Sequence, residues 1–410
     1  MTMKRTIILA ALAAVLSLSA QVKPGIEVLR DRNFDVLKGK RVGLITNPSG
    51  VDNSLKSTID ILAEAPGVNL TALFSPEHGV RGDVHAGDTV RTYTDKATGV
   101  TVYSIYGKTY KPTPEMMKDV DVLVYDIQDN GCRSFTFISS MGKAMEACAE
   151  QGKEFVVLDR PNPVGADKIE GCVVEDSCFS FVSQFSIPYL YGLTPGELAR
   201  YLNEEGKLKD GVKTQLTVVP MKGYKRRMTF EDTGMPWVLP SPHMPTAESA
   251  LYYPMSGILG ELYAMSIGIG YTLPFKLFCA EWIDAAALTE RLNARKIPGM
   301  MFRPIHIKPF YSAQKDKDIQ GVEAYVTDKD AAPLTLVQFY VMEELAQMYP
   351  DKKLFEIGDQ KRMSMFDKVV GSKEIRKLFT RDYKVADMID YWNKDVESFR
   401  KASSKYRLYK

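Results

Sequence analysis

The sequence predicts an α/β protein in which a mostly parallel, doubly wound sheet is joined to a second, smaller α+β domain. Short, near-continuous apolar runs of strand length recur through the first half of the chain, and amphipathic helical segments separate several of them. A polar loop rich in Gly and Pro follows each run. Such a pattern is typical of a parallel sheet buried on both faces. We place the first domain at residues 21–209 and the second at residues 210–410.

The composition is that of an ordinary globular protein. The chain has 410 residues, of which 45% are hydrophobic and 25% are charged, and this length suggests at least two domains. Its 53 Lys and Arg residues nearly balance its 51 Asp and Glu residues. This balance argues against a basic surface for nucleic acid, so we expect no nucleic-acid partner. The sequence gives no prediction of the oligomeric state.

The first 20 residues have the features of a cleaved secretory signal peptide. Lys4 and Arg5 precede an apolar core at residues 7–16, and small residues at 17–20 end the segment. The core is too short for a membrane span and has the flanks of a signal peptide. We therefore expect a periplasmic or secreted protein. No later segment has a long uncharged apolar run, so we expect no membrane span.

The elements of the first domain follow in order. Each predicted strand is an apolar run that ends at a polar turn, and each predicted helix has apolar residues three or four positions apart. A helix over 198–204 has a strong start signal, because Thr194, Pro195 and Glu197 form a capping box. The predicted strands are 41–46, 70–74, 100–105, 120–125 and 155–158, and the other predicted helices are 54–65 and 140–151.

Beyond Lys207 the pattern changes to a mixture of strands and helices around an irregular, Pro-rich stretch at 235–245. Five widely spaced cysteines without a Cys-x-x-Cys pair indicate neither a disulfide framework nor a zinc site, although Cys172 and Cys178 are a candidate pair for one disulfide. The predicted strands are 215–220, 304–308 and 322–327, and the predicted helices are 285–295, 334–348 and 389–401.

The loop after the second predicted strand carries the strongest chemical signal. In Ser75-Pro76-Glu77-His78-Gly79-Val80-Arg81-Gly82, an acid, an imidazole and a guanidinium lie within five positions. Loops at the carboxyl ends of parallel strands form the ligand crevice of an open α/β sheet. A carboxyl over a partly apolar cleft has its pKa raised by desolvation, which suits Glu77 to act as a general acid. The alternative is a solvent-exposed surface turn.

Two further strand-end loops carry charged residues. Asp126 and Asp129 follow the fourth predicted strand, and a second carboxylate is what glycosidic hydrolysis normally requires as base or nucleophile. Arg133 adds a fork suited to a carboxylate ligand. Alternatively, the two aspartates cap turns or the next helix. After the fifth strand, Asp159 and Arg160 either belong to the same cleft or form a structural ion pair.

We expect neither a metal nor an organic cofactor. His78, Asp83 and His85 do not have a spacing typical of metal ligands. No Gly-x-Gly-x-x-Gly or phosphate-binding loop follows an early strand, so the sheet does not imply a nucleotide. Aromatic residues near 241–246 suit either stacking on sugar faces or the core; they are Trp237, Tyr252, Tyr253, Tyr271 and Phe275.

Five ordered motifs carry a family resemblance. They are Asn47-Pro48-Ser49-Gly50, the loop 75–82, Asp126-Ile127-Gln128-Asp129-Asn130-Gly131-Cys132-Arg133, Leu158-Asp159-Arg160-Pro161-Asn162-Pro163 and Gly192-Leu193-Thr194-Pro195-Gly196-Glu197-Leu198-Ala199. The set resembles the exo-β-N-acetylmuramidase (NamZ-like) glycoside hydrolases, formerly a domain of unknown function. The resemblance implies a Rossmann-like domain, a smaller auxiliary domain and an active site in the cleft between them. It also implies removal of terminal β-linked N-acetylmuramic acid from peptidoglycan fragments without a cofactor.

The resemblance also implies roles for individual residues. Glu77 matches the proposed catalytic acid of the family, and Asp126 and Asp129 are the further catalytic candidates. One of three arginines is expected to bind the lactyl carboxylate of muramic acid, because an arginine fork suits a planar carboxylate; the three are Arg81, Arg133 and Arg160. The other substrate-binding candidates are Asn47, His78, Gln128, His243 and Tyr271.

The chain departs from the family pattern within the expected cleft. His243 stands where Asn is usual, and Ile269 and Tyr271 stand in place of the Arg and Thr of a Gly-Arg-Gly-Thr run. Phe135 and Phe137 stand where tyrosine is common. A subfamily with shifted specificity is therefore one alternative, and a non-catalytic periplasmic protein that binds muramyl sugars or muropeptides is another. An esterase or amidase is a weaker alternative, because the sequence has no nucleophile elbow.

Overall fold

The computed structural model describes residues 21–82 and 92–410. The signal peptide predicted at 1–20 lies outside the described residues, as do Asp83 and His85. The described chain contains a seven-stranded sheet, a three-stranded sheet and a two-stranded ribbon, with helices packed around them.

Seven strands form the large sheet. All neighbours in it are parallel except for one short antiparallel edge strand. The strands are β1 (Arg41–Thr46), β2 (Asn69–Ser75), β3 (Tyr93–Thr94), β4 (Thr101–Ser104), β5 (Val122–Asp126), β6 (Glu154–Leu158) and β9 (Gln215–Val219). The two strands between β6 and β9 in the chain, β7 (Ile169–Glu170) and β8 (Leu190–Tyr191), form the separate ribbon. The spatial order of the large sheet is β3-β4-β2-β1-β5-β6-β9. Without β3 this is the doubly wound order of a Rossmann fold, which confirms the predicted class.

Helices cover both faces of this sheet, and the alternation of side chains along the strands explains why. Val122 and Val124 of β5 belong to one buried cluster, whereas Leu123 and Tyr125 belong to another. The first cluster includes residues of α1 (Gly25–Asp31) and α2 (Thr58–Glu64), and the second includes residues of α3 (Pro114–Met117), α4 (Phe137–Gln151) and α5 (Pro195–Glu204). A strand covered on both faces must be apolar at successive positions, as the sequence of β5 is.

The predicted boundary between residues 209 and 210 needs correction. The prediction places β9 in the second domain, but β9 pairs in parallel with β6 and forms the edge of the large sheet. The chain terminus also returns to this sheet, because the Tyr409 hydroxyl donates to Asp159 Oδ2 over 2.5 Å. The physical reason is that β9 buries Val219 against the apolar face of the sheet, where it joins the cluster of α1.

The second, smaller domain combines an antiparallel sheet with helices. Its three strands lie in the order β10-β12-β11, and α7 packs against both β11 and β12. The elements are α6 (Ser249–Gly260), β10 (Leu277–Ala280), α7 (Ala285–Ala294), β11 (Met300–Ile307), β12 (Ile319–Val326), α8 (Val337–Met348), α9 (Leu354–Ile357), α10 (Met363–Val370), α11 (Lys373–Asp382), α12 (Ile389–Asn393) and α13 (Val396–Ser403). The α+β character predicted for this part is confirmed.

Several predicted boundaries shift for local reasons. The helix predicted from residue 54 begins at Thr58, because the Ser57 side chain caps it and Leu55 is exposed with φ of 66°. The helix predicted over 389–401 is two helices, α12 and α13. Cys172 and Cys178 are both free and buried, so the candidate disulfide is absent. Within residues 21–82 and 92–410, no helix combines the length and the apolar character that a membrane crossing needs.

Candidate active site

The candidate site lies at the carboxyl ends of the central strands. β1 and β5 are neighbours in the sheet, yet the chain passes from β1 to β2 on one side before it reaches β5 on the other. This reversal of direction opens a crevice at their carboxyl ends. The loops after β1, β2 and β5 carry most of the sequence-predicted residues, so the structure brings them to one edge.

Glu77 lies half-buried at this edge, on the loop after β2. Its Oε2 accepts a hydrogen bond of 3.4 Å from the hydroxyl of Thr136, the residue that precedes α4. The Tyr106 hydroxyl also hydrogen-bonds to Glu77, and burial together with the Glu77 charge raises the pKa of Tyr106. Two hydroxyl donors therefore hold the carboxyl while leaving part of its surface open.

Two histidines flank Glu77. His78 is buried and has φ of 74°, a left-handed conformation that a non-glycine residue seldom adopts outside a constrained site. His243 is half-buried, and its Nε2 lies 2.7 Å from the Tyr311 hydroxyl. Burial lowers the pKa of His243, the charge of His78 lowers it further, and Glu77 acts in the opposite direction. The two histidines and Glu77 thus form one electrostatic group.

Asp126 is a structural residue rather than an accessible base. Its carboxylate is fully buried and accepts from Arg160 Nε over 2.5 Å and from Arg160 Nη2 over 3.0 Å. The Thr58 hydroxyl donates to the same carboxylate over 2.5 Å. Arg160 Nη2 also donates to the carbonyl oxygen of Val51 over 2.8 Å. The ion pair predicted for Arg160 therefore forms with Asp126 and not with its neighbour Asp159.

Asp129 is also buried, but its hydrogen-bond partners are neutral groups. Its Oδ2 accepts from the Tyr191 hydroxyl and, over 2.8 Å, from the Gly131 N–H. Its Oδ1 makes no hydrogen bond within the described part of the chain. Burial raises the pKa of Asp129 to about 7, against the opposing effect of the Tyr191 hydrogen bond. The neighbouring Gln128 donates from its side chain to the carbonyl oxygens of Asp129 and Pro161, so it braces the loop.

Two of the arginines predicted to bind a carboxylate are held by protein groups. Arg133 is fully buried, and its five N–H donors are all used: Nε bonds Ser183, while the others bond four backbone carbonyls, of Cys172, Ile187, Val369 and Val370. Arg81 donates to both carboxylate oxygens of Asp95 and to Asp60, and these bonds raise its pKa. The structure therefore gives Arg133, like Arg160, a structural role and leaves it no donor for a substrate, which corrects the expectation for these two residues. Arg81 is 34% exposed, but its charge is already shared between two carboxylates.

The remaining candidates take separate positions. Asn47 is buried, and its side-chain amide donates to the Pro240 carbonyl oxygen over 3.0 Å, which ties the loop after β1 to the irregular stretch at 235–245. Tyr271 lines a different cavity from His243, together with His306 of β11 and Asp318, the residue before β12. Asn47 thus shapes the cleft, whereas Tyr271 lies away from the group around Glu77.

A cavity of about 240 Å³ adjoins His243 and opens between α6 and the loops that follow it. Tyr253, Phe275 and Ile269 also line this cavity. The Tyr253 hydroxyl lies 3.1 Å from Ser134 Oγ, and the charge of Glu77 acts on it. The cavity also contains an ion pair that was not predicted from the sequence, between Glu261 and Arg362. Neither residue follows a strand or belongs to a recognised motif, so no local signal marks them.

Tyr106 and Thr136 were also missed, although a signal exists for one of them. Tyr106 comes two residues after the end of β4, so the same rule that selected Glu77 also selects it. Thr136 lies just before α4, where a hydroxyl is equally typical of a helix cap. Among the described residues, no group of three or more His, Cys, Asp or Glu side chains is placed to hold a metal ion.

Comparisons with known proteins agree over nearly the whole chain. Residues 42–248 match the N-terminal family model described as exo-β-N-acetylmuramidase NamZ, and residues 251–409 match the C-terminal model of the same description. The chain is 46% identical over 390 residues to the peptidoglycan β-N-acetylmuramidase NamZ of Bacillus subtilis strain 168, covering 95% of this chain and 92% of that protein.

Two crystal structures of DUF1343 family proteins from Bacteroides fragilis are similar to this fold. One superposes with a TM-score of 0.92 at 59% sequence identity, covering 95% of this chain and 99% of that one. The other superposes with a TM-score of 0.74 at 27% identity over the same shares of the two chains. The boundary between the two matched family models lies near residue 250, after β9 and just inside the start of α6.

Proposed function

Because the chain belongs to the exo-β-N-acetylmuramidase NamZ family, we propose that it removes β-linked N-acetylmuramic acid from the non-reducing ends of peptidoglycan fragments. The 46% identical peptidoglycan β-N-acetylmuramidase supports this reaction. The observation that carries the proposal is the position of Glu77, beside the switch point of the sheet, where its charge acts on two residues that line the adjoining cavity.

In the proposed mechanism Glu77 is the general acid. Of the three acidic candidates it is the one with an open carboxyl, since Asp126 and Asp129 are 0% and 1% exposed. Glu77 protonates the glycosidic oxygen as the bond to the anomeric carbon breaks, which avoids expelling an unstable sugar alkoxide. The Thr136 and Tyr106 hydroxyls hold the carboxyl in one orientation for this transfer.

Asp126 and Asp129 stabilise the loops that form this site. The Asp126–Arg160 pair joins the ends of β5 and β6, and Asp129 with Gln128 fixes the loop that leads to Thr136. The leaving sugar takes the Glu77 proton, water adds to the anomeric carbon, and the proton that this water releases restores the Glu77 carboxyl through solvent. We further propose that the protein acts outside the cytoplasm after removal of its leader, on the side where peptidoglycan fragments arise.

One experiment tests the proposed function directly. The purified protein is incubated with a disaccharide of N-acetylmuramic acid β-linked to N-acetylglucosamine, and free N-acetylmuramic acid is measured by mass spectrometry. We expect release of the terminal sugar, and much slower release from the matched disaccharide that has N-acetylglucosamine at its non-reducing end. Thermal stabilisation by the sugar without any release would instead identify a binding protein and contradict the proposal.

A further inference from the structure

The three arginines selected from the sequence leave the substrate carboxylate without a cation. Arg133 and Arg160 are buried with protein partners, and the charge of Arg81 is already shared between two carboxylates, those of Asp60 and Asp95. N-acetylmuramic acid differs from N-acetylglucosamine by a lactyl ether that ends in a carboxylate. A positive group within reach of that carboxylate gives an enzyme a direct means to distinguish the two sugars.

We propose that Arg362 binds the lactyl carboxylate of the terminal sugar and that Glu261 holds the Arg362 guanidinium in position. This inference rests on the proposed function, because it assigns one group of the proposed substrate to one part of the cleft. Arg362 lines the cavity that His243 and Tyr253 also line. Both of those residues interact electrostatically with Glu77, so the cavity adjoins the proposed proton donor.

The hydrogen bonds of Arg362 leave one edge of its guanidinium open. Nε donates to the Glu261 carbonyl oxygen over 2.8 Å, and Nη2 donates to the Glu261 carboxylate. These bonds occupy the side of the guanidinium that Nε and Nη2 share. Nη1 makes no hydrogen bond to any described residue, and the side chain is 34% exposed. The end formed by Nη1 and Nη2 is thus a planar fork of the kind that binds a carboxylate through two parallel bonds.

The guanidinium is held in place before any ligand arrives. Its carbon lies 4.5 Å from the centre of the Tyr263 ring, so the ring supports one face of the cation. Glu261 is largely buried, and burial raises its pKa although the Arg362 charge opposes this shift. A second anion at the free fork shares the Arg362 cation with Glu261.

Some residues around the same cavity have a strained backbone. Three non-glycine residues that line it have positive φ: 52° at Tyr263, 65° at Phe275 and 65° at Ser312. Each such conformation costs free energy and persists only where the surrounding structure holds it. The cavity wall that contains Arg362 is therefore held in a fixed shape.

The test compares two substrates in matched variants. The ratio kcat/KM is measured for an aryl β-N-acetylmuramide and for the corresponding aryl β-N-acetylglucosaminide with the wild type, R362M and R362K. We expect R362M to lower kcat/KM about 10- to 100-fold for the muramide, the range of lost charge-assisted hydrogen bonds, with little change for the glucosaminide. R362K retains the charge without the fork, so we expect an intermediate loss.

R291M is the matched control. Arg291 is also a partly exposed arginine paired with a carboxylate, at 2.6 Å from Glu344, but it lies on α7 and outside the cavity. We expect R291M to leave the ratio of the two substrates unchanged. Thermal unfolding of all variants establishes that they are folded, and R362K serves for the comparison if R362M unfolds.

Binding measurements separate this inference from the proposed function. Calorimetric titration of E77Q and of E77Q/R362M with free N-acetylmuramic acid and N-acetylglucosamine does not depend on turnover. We expect E77Q to bind N-acetylmuramic acid more tightly than N-acetylglucosamine, and we expect this difference in affinity to be lost in E77Q/R362M. If the wild type hydrolyses the muramide while R362M keeps the same preference in both assays, Arg362 does not bind the carboxylate. If the wild type hydrolyses nothing, the proposed function fails, and the titration still decides the role of Arg362.

Discussion

Replacement of Glu77 by Gln removes the proposed acid while preserving its shape. Gln retains one side-chain oxygen that can accept from Thr136 and Tyr106, whose hydroxyls hold the native carboxyl. Because the side chain is only half-buried and its bond to Thr136 is 3.4 Å long, little folding free energy depends on it. We therefore expect E77Q to unfold within a few degrees of the wild type, so that lost activity reports chemistry.

The expected loss follows from what the acid does. A positioned general acid contributes about 10²- to 10⁴-fold, and this contribution depends on how much the leaving group needs a proton. Among leaving groups, a sugar hydroxyl depends most on receiving a proton, and an acidic phenol depends on it least. We expect E77Q to lose the full factor with the natural disaccharide and less than about 10-fold with a dinitrophenyl muramide.

The assay is kcat/KM across a series of aryl muramides of increasing phenol acidity, for the wild type and E77Q. We expect a steep dependence on phenol acidity in E77Q and a shallow one in the wild type. T136V is the matched control, since it removes the 3.4 Å bond to Glu77 but keeps the acid, and it should cost less than about 10-fold. An equal loss for every leaving group, or full activity of E77Q, would refute the role of Glu77 as proton donor.

Three further predictions concern the structural residues of the site. R133M leaves four buried carbonyls without a donor, and each costs about 1–3 kcal/mol. We therefore expect the free energy of unfolding in urea to fall by much of its typical total. A stable R133M that loses only its preference for the muramide would show that Arg133 binds the substrate. The pKa of Asp129 is about 7 in the folded protein against an ordinary value of 3.8, so its contribution to stability is full below pH 3.8 and is lost as pH rises through 7. We expect the difference in unfolding free energy between the wild type and D129N to move against the wild type between about pH 4 and pH 7, and a constant difference would show that Asp129 does not titrate there. G50A places a methyl group 2.1 Å from Thr46 Oγ1 and 2.9 Å from the Asp126 carbonyl oxygen, so we expect lower thermal stability and a displaced loop with reduced activity, whereas wild-type values for both would contradict this clash.

Much of the fold could be predicted because its signals are local. The buried parallel strands are apolar at successive positions, and the Thr194 capping box starts α5 as expected. The failures are also physical. β9 resembles any short strand, and only its partner β6 decides the sheet to which it belongs. The helix predicted over 389–401 has continuous helical spacing, but the folded chain breaks it between α12 and α13.

The sequence by itself determined the class of the fold, the strand-end loops that form the cleft and the choice of Glu77 as candidate acid. These follow from periodicity, turn residues and the rule that loops at one end of a parallel sheet meet. Only the tertiary structure decided which partner each charged residue binds. Arg133 bonds carbonyls that are 236 and 237 residues away in the sequence. Arg160 bonds Asp126, 34 residues away, and Arg362 bonds Glu261, 101 residues away. A charged residue has the same appearance in a sequence whether it faces a ligand or a buried partner, because burial and pairing are set by contacts distant along the chain.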